Sequence, residues 1–144
     1  MSAPVPGGFA DTPGGADNPL LDTLGIRLVE VSAGRAVFEV ELDARHLNRQ
    51  RSLQGGVAAT LLDAACGYAG LADADCGALG NAVTVMLAIG YLAKVSSGRL
   101  RATGRVTKMG RSTYFANGEL IADSGEVIAT AQGAFKRTPA PAKG

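Results

Sequence analysis

HLNRQRSLQGGVAATLLDAACGYAG, residues 46 to 70, is the stretch whose reading decides the fold. It opens as a polar, basic loop, passes through Gly55 and Gly56, and continues to about Ala74 as a helix that is apolar on almost every side, with one carboxylate, Asp63, in its middle. A helix with no water-preferring face is a buried helix. Asp63 is the anomaly, because a carboxylate in apolar surroundings is costly unless paired, hydrogen-bonded or protonated. Positions three, four and seven away share its face, and they hold Gly56, Ala59, Thr60, Cys66, Gly67 and Gly70, none of them bulky. Val57, Leu61, Leu62 and Tyr68 lie off that stripe. The carboxylate therefore looks across an open channel, or else the small residues let a neighbouring element approach closely.

Ser52 is the candidate N-cap, which places Gly55 and Gly56 in the first turn. The amides of that turn have no acceptor within the helix, and without side chains they are reachable by a ligand oxygen. A glycine pair that merely starts a helix against a tight neighbour is the plainer alternative.

Outward from the helix, the chain reads as strands. Residues 1–18 are rich in Gly, Pro, Ala and Asp and are expected to be a disordered lead. A short helix follows over Pro19 to Leu24, capped by Asn18 and stopped by Gly25. Ile26 to Val31 and Arg35 to Leu42 form a hairpin, the second strand alternating Ala36, Phe38, Val40 and Leu42 with Arg35, Val37, Glu39 and Glu41. Beyond the helix, Asn81 to Leu92 is apolar almost throughout and predicts a strand covered on both faces. Arg99 to Thr107, Ser112 to Ala122 and Val127 to Arg137 complete four strands in antiparallel succession, before a tail over 138–144. Such a sheet needs a partner for its apolar face, and the long helix is the one available. The economical answer is an α+β domain over 19–137, a curved antiparallel sheet wrapped around one buried helix. A single wrapped helix leaves sheet edges bare, which favours a homodimer and permits a pair of dimers.

At 144 residues and net charge +1 the chain suits one domain and gives no sign of a nucleic-acid partner. Two cysteines without a Cys-x-x-Cys pair, and a single histidine, argue against a metal centre or a disulfide framework. The start lacks the basic and apolar run of a signal peptide, and no apolar segment is long enough to span a bilayer, so a cytoplasmic protein without membrane contact is expected.

His46-Leu47-Asn48 followed by Leu53-Gln54-Gly55-Gly56-Val57-Ala58-Ala59-Thr60-Leu61-Leu62-Asp63 resembles the signature of the hotdog-fold acyl-CoA thioesterases. The likeness is to the phenylacetate-degradation (PaaI-like) and thioesterase superfamily member 2 group, and it continues through Val83-Thr84-Val85, Ile89 to Leu92, Gly110-Arg111 and Gly125 to Phe135. The resemblance implies a hotdog fold and hydrolysis of an aromatic or medium-chain acyl-CoA to free acid and CoA, with no cofactor. It makes Asp63 the general base or nucleophile, presented across a dimer interface, and the Gly55 amide the donor to the thioester oxygen. Asn48 would orient the thioester or the attacking water, and Thr84 would help hold that water. Gly56, Thr60 and Gly67 would line the substrate channel.

One position departs from the family, which has His before the two glycines where this chain has Gln54. Gln exchanges hydrogen bonds but carries no proton at neutral pH, so Gln54 is read as a positioning residue. His46 does not replace it by position and reads as structural. Lys108, Arg111, Lys136 and Arg137, at strand ends, are candidates for the CoA phosphates, as are Arg49 and Arg51; a solvated sheet rim is the plainer reading. The alternatives are an acyl-CoA binding protein without catalysis, suggested by Gln54, and a hotdog hydratase or dehydratase, disfavoured because those pair the carboxylate with a histidine.

Overall fold

The computed structural model describes residues 18–139. The expected leading and trailing segments lie outside that range, apart from Asn18, Thr138 and Pro139. The elements run α1 (Pro19–Thr23), β1 (Arg27–Ser32), β2 (Arg35–Glu41), a 3-10 turn (Ala44–His46), α2 (Gly55–Ala69), β3 (Asn81–Tyr91), β4 (Arg99–Met109), β5 (Thr113–Ala122) and β6 (Val127–Thr138). The small helix has the expected punctuation. Asn18 caps it by accepting from the Leu21 amide at 3.4 Å, and Gly25 ends it at φ +69°.

The six strands form one antiparallel sheet in the order β1-β2-β4-β5-β6-β3. It curls around α2, whose Leu61, Leu62, Ala65 and Cys66 are fully buried against the inward positions of the strands. Those positions alternate as read from sequence: Ala36, Phe38 and Val40 on β2, Leu100 and Ala102 on β4, and Tyr114, Ala116 and Leu120 on β5 are all buried. Where helix and sheet come closest the inward residue is glycine. A Cβ on Gly104 would lie 2.1 Å from the Ala65 carbonyl oxygen, so this crossing tolerates no side chain. This is the hotdog arrangement, an antiparallel sheet wrapped around one long helix.

Three expectations need correction. The last four strands are not consecutive neighbours: β4 pairs with β2, and β3 crosses to the far edge beside β6. As an edge strand β3 is largely open rather than covered on both faces, with Val83, Val85 and Met86 exposed. The helix stops at Ala69, short of Ala74. Beyond it, Asp73 accepts from the amides of Asp75 and Cys76 at 2.8 and 3.1 Å, a side-chain turn that competes with further helix. Those same bonds hold its carboxyl below the usual range.

Candidate active site

Helix α2 is least covered along one stripe. Gly56, Thr60, Asp63 and Gly67, spaced four, three and four apart, are positions that the sheet leaves partly or fully open, with Ala59 and Tyr68 half-buried beside them. Of the small residues expected to share the Asp63 face, Gly56, Ala59, Thr60 and Gly67 lie on this open side, whereas Cys66 and Gly70 are buried against the sheet. The Asp63 carboxylate is half-buried and accepts a 2.7 Å hydrogen bond at Oδ1 from the Thr84 hydroxyl. Thr84 reaches it because β3 runs beside α2 and Thr84, opposite Phe135 on β6, faces inward just before the one-residue bulge at Val85. The other carboxylate oxygen has no hydrogen-bond partner among the described residues, and Asp63 lines a cavity of 190 Å³. Thr60 and Gly67 line that cavity with Thr84, while Leu20, Tyr68, Leu71 and Phe135 supply its apolar wall.

Below Asp63 the helix rests on groups that stay protonated at neutral pH. Burial, with a smaller contribution from the Asp63 charge, pushes the Cys66 thiol up to about 12. Burial likewise pushes the Tyr114 phenol up to about 12 against the opposing pull of Arg137, with the charges of Asp63 and Cys66 adding to it. Tyr114 donates its hydroxyl to the Gly67 carbonyl and stacks on Phe135 at 5.3 Å between centroids. Neither group is a ready nucleophile at neutral pH. Asp63 is the carboxylate of the cavity.

The helix N-terminus differs from the expectation in one respect. Its N-cap is Gln54, not Ser52, and no side chain caps it. Ser52 instead belongs to the preceding loop, where its amide and carbonyl both bond to Asn48. The Asn48 side-chain oxygen accepts from the amides of Gln50 and Ser52 at 2.9 and 3.1 Å, closing a turn in which Arg51 takes φ +63°. Asn48 is therefore committed to its own loop through that oxygen, and its side-chain NH2 is the part left to meet a ligand. Gly55 and Gly56 open the helix with free first-turn amides, and a Cβ on Gly56 would meet nothing within 4 Å. Gln54 is exposed at this rim.

His46 is fully buried, with Nδ1 accepting from the Asp43 amide at 3.0 Å and Nε2 donating to the Leu24 carbonyl at 2.7 Å. Both ring nitrogens are occupied in tying the 3-10 turn to the end of α1, so the chain's one histidine is structural. Lys108, Arg111 and Lys136 are exposed, as are Arg49 and Arg51. Arg137 is not a free cation of the rim: its guanidinium lies 5.1 Å over the Tyr114 ring and donates to Met109 Sδ at 2.7 Å. The apolar wall left no mark on the sequence pattern, because Leu20 and Phe135 are brought to the cavity from opposite ends of the described chain.

The model of a family described as the thioesterase superfamily matches residues 51–129. Among solved structures, the PaaI protein from the phenylacetic acid degradation operon of E. coli superposes with a TM-score of 0.75 at 27% identity, over 85% of this chain and 86% of that one. Zebra fish thioesterase superfamily member 2 does so with a TM-score of 0.71 at 28% identity, over 90% and 89%. The PaaI protein of Thermus thermophilus, at 24% identity, shares the fold, with a TM-score of 0.76 over 84% of this chain and all of its own. A search of the curated proteins finds no match.

Proposed function

Because the chain belongs to the thioesterase superfamily, of the PaaI and thioesterase superfamily member 2 group, we propose that it hydrolyses an acyl-CoA thioester to a free acid and CoA. The observation that carries this reading is the Asp63 carboxylate, held by the Thr84 hydroxyl on one oxygen and lining a partly apolar cavity. In that position it takes a proton from a water that attacks the thioester carbon, or attacks that carbon itself to form a mixed anhydride. In the first route the carbon–sulfur bond then breaks and the proton taken up by Asp63 goes to the departing CoA sulfur; in the second the sulfur leaves as a thiolate that takes its proton from solvent, and water hydrolyses the anhydride to release the acid and restore the carboxylate.

Charge developing on the carbonyl oxygen calls for the Gly55 amide at the positive end of α2. That amide cannot serve the Asp63 of its own helix, since eight residues along α2 are a rise of about 12 Å. The reaction centre is therefore built from two copies of the chain. The open edge of β3, with Val83, Val85 and Met86 bare, is the natural seam. Asn48, through its NH2, and Gln54 then stand at the rim on the glycine side. The exposed Arg49, Arg51, Lys108, Arg111 and Lys136 are the cations offered to the CoA phosphates, and Arg137 is the least available of the set.

The partly apolar cavity beside Asp63, walled by Leu20, Tyr68, Leu71 and Phe135, suits an aromatic or medium-chain acyl group, with the second copy completing its enclosure. The purified protein should release thiol from phenylacetyl-, hydroxybenzoyl- or medium-chain acyl-CoA. Asp63→Asn should lower kcat by about a thousandfold with the oligomer intact, and an Asn variant of unchanged rate would reject the assignment. Gln54 favours a second reading, acyl-CoA binding without turnover, for which the same assay shows binding and no thiol. The hydratase reading has no support, because both nitrogens of His46 are already engaged.

A further inference from the structure

Tyr91, the last residue of β3, is 56% exposed, yet its hydroxyl donates to the Gly55 carbonyl at 2.8 Å, thirty-six positions away in sequence. Its hydroxyl and the adjoining ring atoms stand 3.5 to 3.7 Å from where a Cβ on the same glycine would be. The Gly55 carbonyl and the Gly56 N–H are two ends of one rigid peptide plane. A donor on the carbonyl fixes the direction of that N–H and, by polarising the peptide, strengthens it. The first turn of α2 needs such a tether. Gln54 provides no side-chain cap, and two successive glycines lose more freedom on ordering than any other pair.

We propose that Tyr91 is a positioning residue for the first turn of α2: by holding the Gly55 carbonyl it fixes Gly55, whose own N–H is the donor to the carbonyl oxygen of the substrate, together with the direction of the adjoining Gly56 N–H. The inference rests on the hydrolase reading. Tyr91 also lies on β3, the edge strand of the proposed seam, which carries Thr84 beside Asp63. One strand thus serves both halves of the centre, Thr84 orienting the carboxylate and Tyr91 the amides.

The test is Tyr91→Phe in the full chain, which keeps the ring and removes only the hydroxyl. On the best acyl-CoA substrate of the wild type, kcat should fall about tenfold, the effect of one lost hydrogen bond, while KM and the melting temperature stay at wild-type values. The dissociation constant of a thioether analogue of that substrate, which lacks the carbonyl, should not change. Amide exchange at Gly56 and Val57 should quicken. A Y91F protein with wild-type kcat, or one whose loss appears equally in KM and in melting temperature, overturns the assignment. The two failures are distinct: an inactive wild type removes the hydrolase reading, whereas an active wild type with a dead D63N and an unaffected Y91F removes only the role of Tyr91.

Discussion

At the scale of single residues the proposed reaction divides its chemistry between a carboxylate and a main-chain N–H, and each can be deleted almost without touching its surroundings. For the amide the clean deletion is Gly55→Pro. Position 55 is the first of the helix, where proline is at home, and Gln54 already has the extended φ and ψ of −64° and 132° that a following proline requires. The Gly55 amide has no acceptor among the described residues, and a Cβ there has the Tyr91 hydroxyl and adjoining ring atoms as its nearest neighbours, at ordinary contact distance. Loss of this donor should lower kcat by about 10² to 10³-fold with no fall in melting temperature, as steady-state assays beside thermal unfolding will show. Asp63 was legible in the sequence because its neighbours at helical spacing are small, and that spacing is local. The partners of His46 were not. The Leu24 carbonyl lies 22 positions away, and no periodicity records a bond between two loops.

The elements obey a simple rule of approach, in which α2 lies closest to the sheet where the strands carry glycine. Gly104 meets the Ala65 carbonyl, and Gly118 meets Cys66 Sγ at 2.8 Å from its missing Cβ. Gly104→Ala sets a methyl against backbone on both sides, so neither partner can swing away. It should destabilise the protein by about 3 kcal/mol, read as a lower midpoint of urea denaturation with an unchanged slope. The strands themselves were legible from their alternation, most clearly Leu100 and Ala102 against the arginines of β4. The end of α2 was not, since Ala72 and Ala74 favour helix and lost only to the side-chain turn that Asp73 makes with Asp75 and Cys76. The covering of β3 was misread for a related reason. A run of Val, Leu and Ile says that a strand is apolar, and it does not say whether the chain itself or a second chain covers it.

For the molecule as a whole, the order of strands escaped the sequence because long crossovers leave no local mark, whereas the need for a helix inside the sheet followed from having one long apolar helix and many half-apolar strands. The strand that travels farthest, β3, ends at the edge of the sheet with Thr84 beside Asp63 and Tyr91 beside Gly55. A seam along that edge has a genetic signature. If every reaction centre takes its acid from one polypeptide and its amide from the other, two dead proteins can repair each other. Asp63→Asn and Gly55→Pro, each inert alone, would form hybrids in which one centre carries both lesions and the other carries none. Equal amounts, mixed under conditions that let subunits exchange, should recover about a quarter of the wild-type rate, half of the assemblies being hybrid and each hybrid holding one sound centre of two. A mixture that stays inert would mean that acid and amide belong to the same polypeptide.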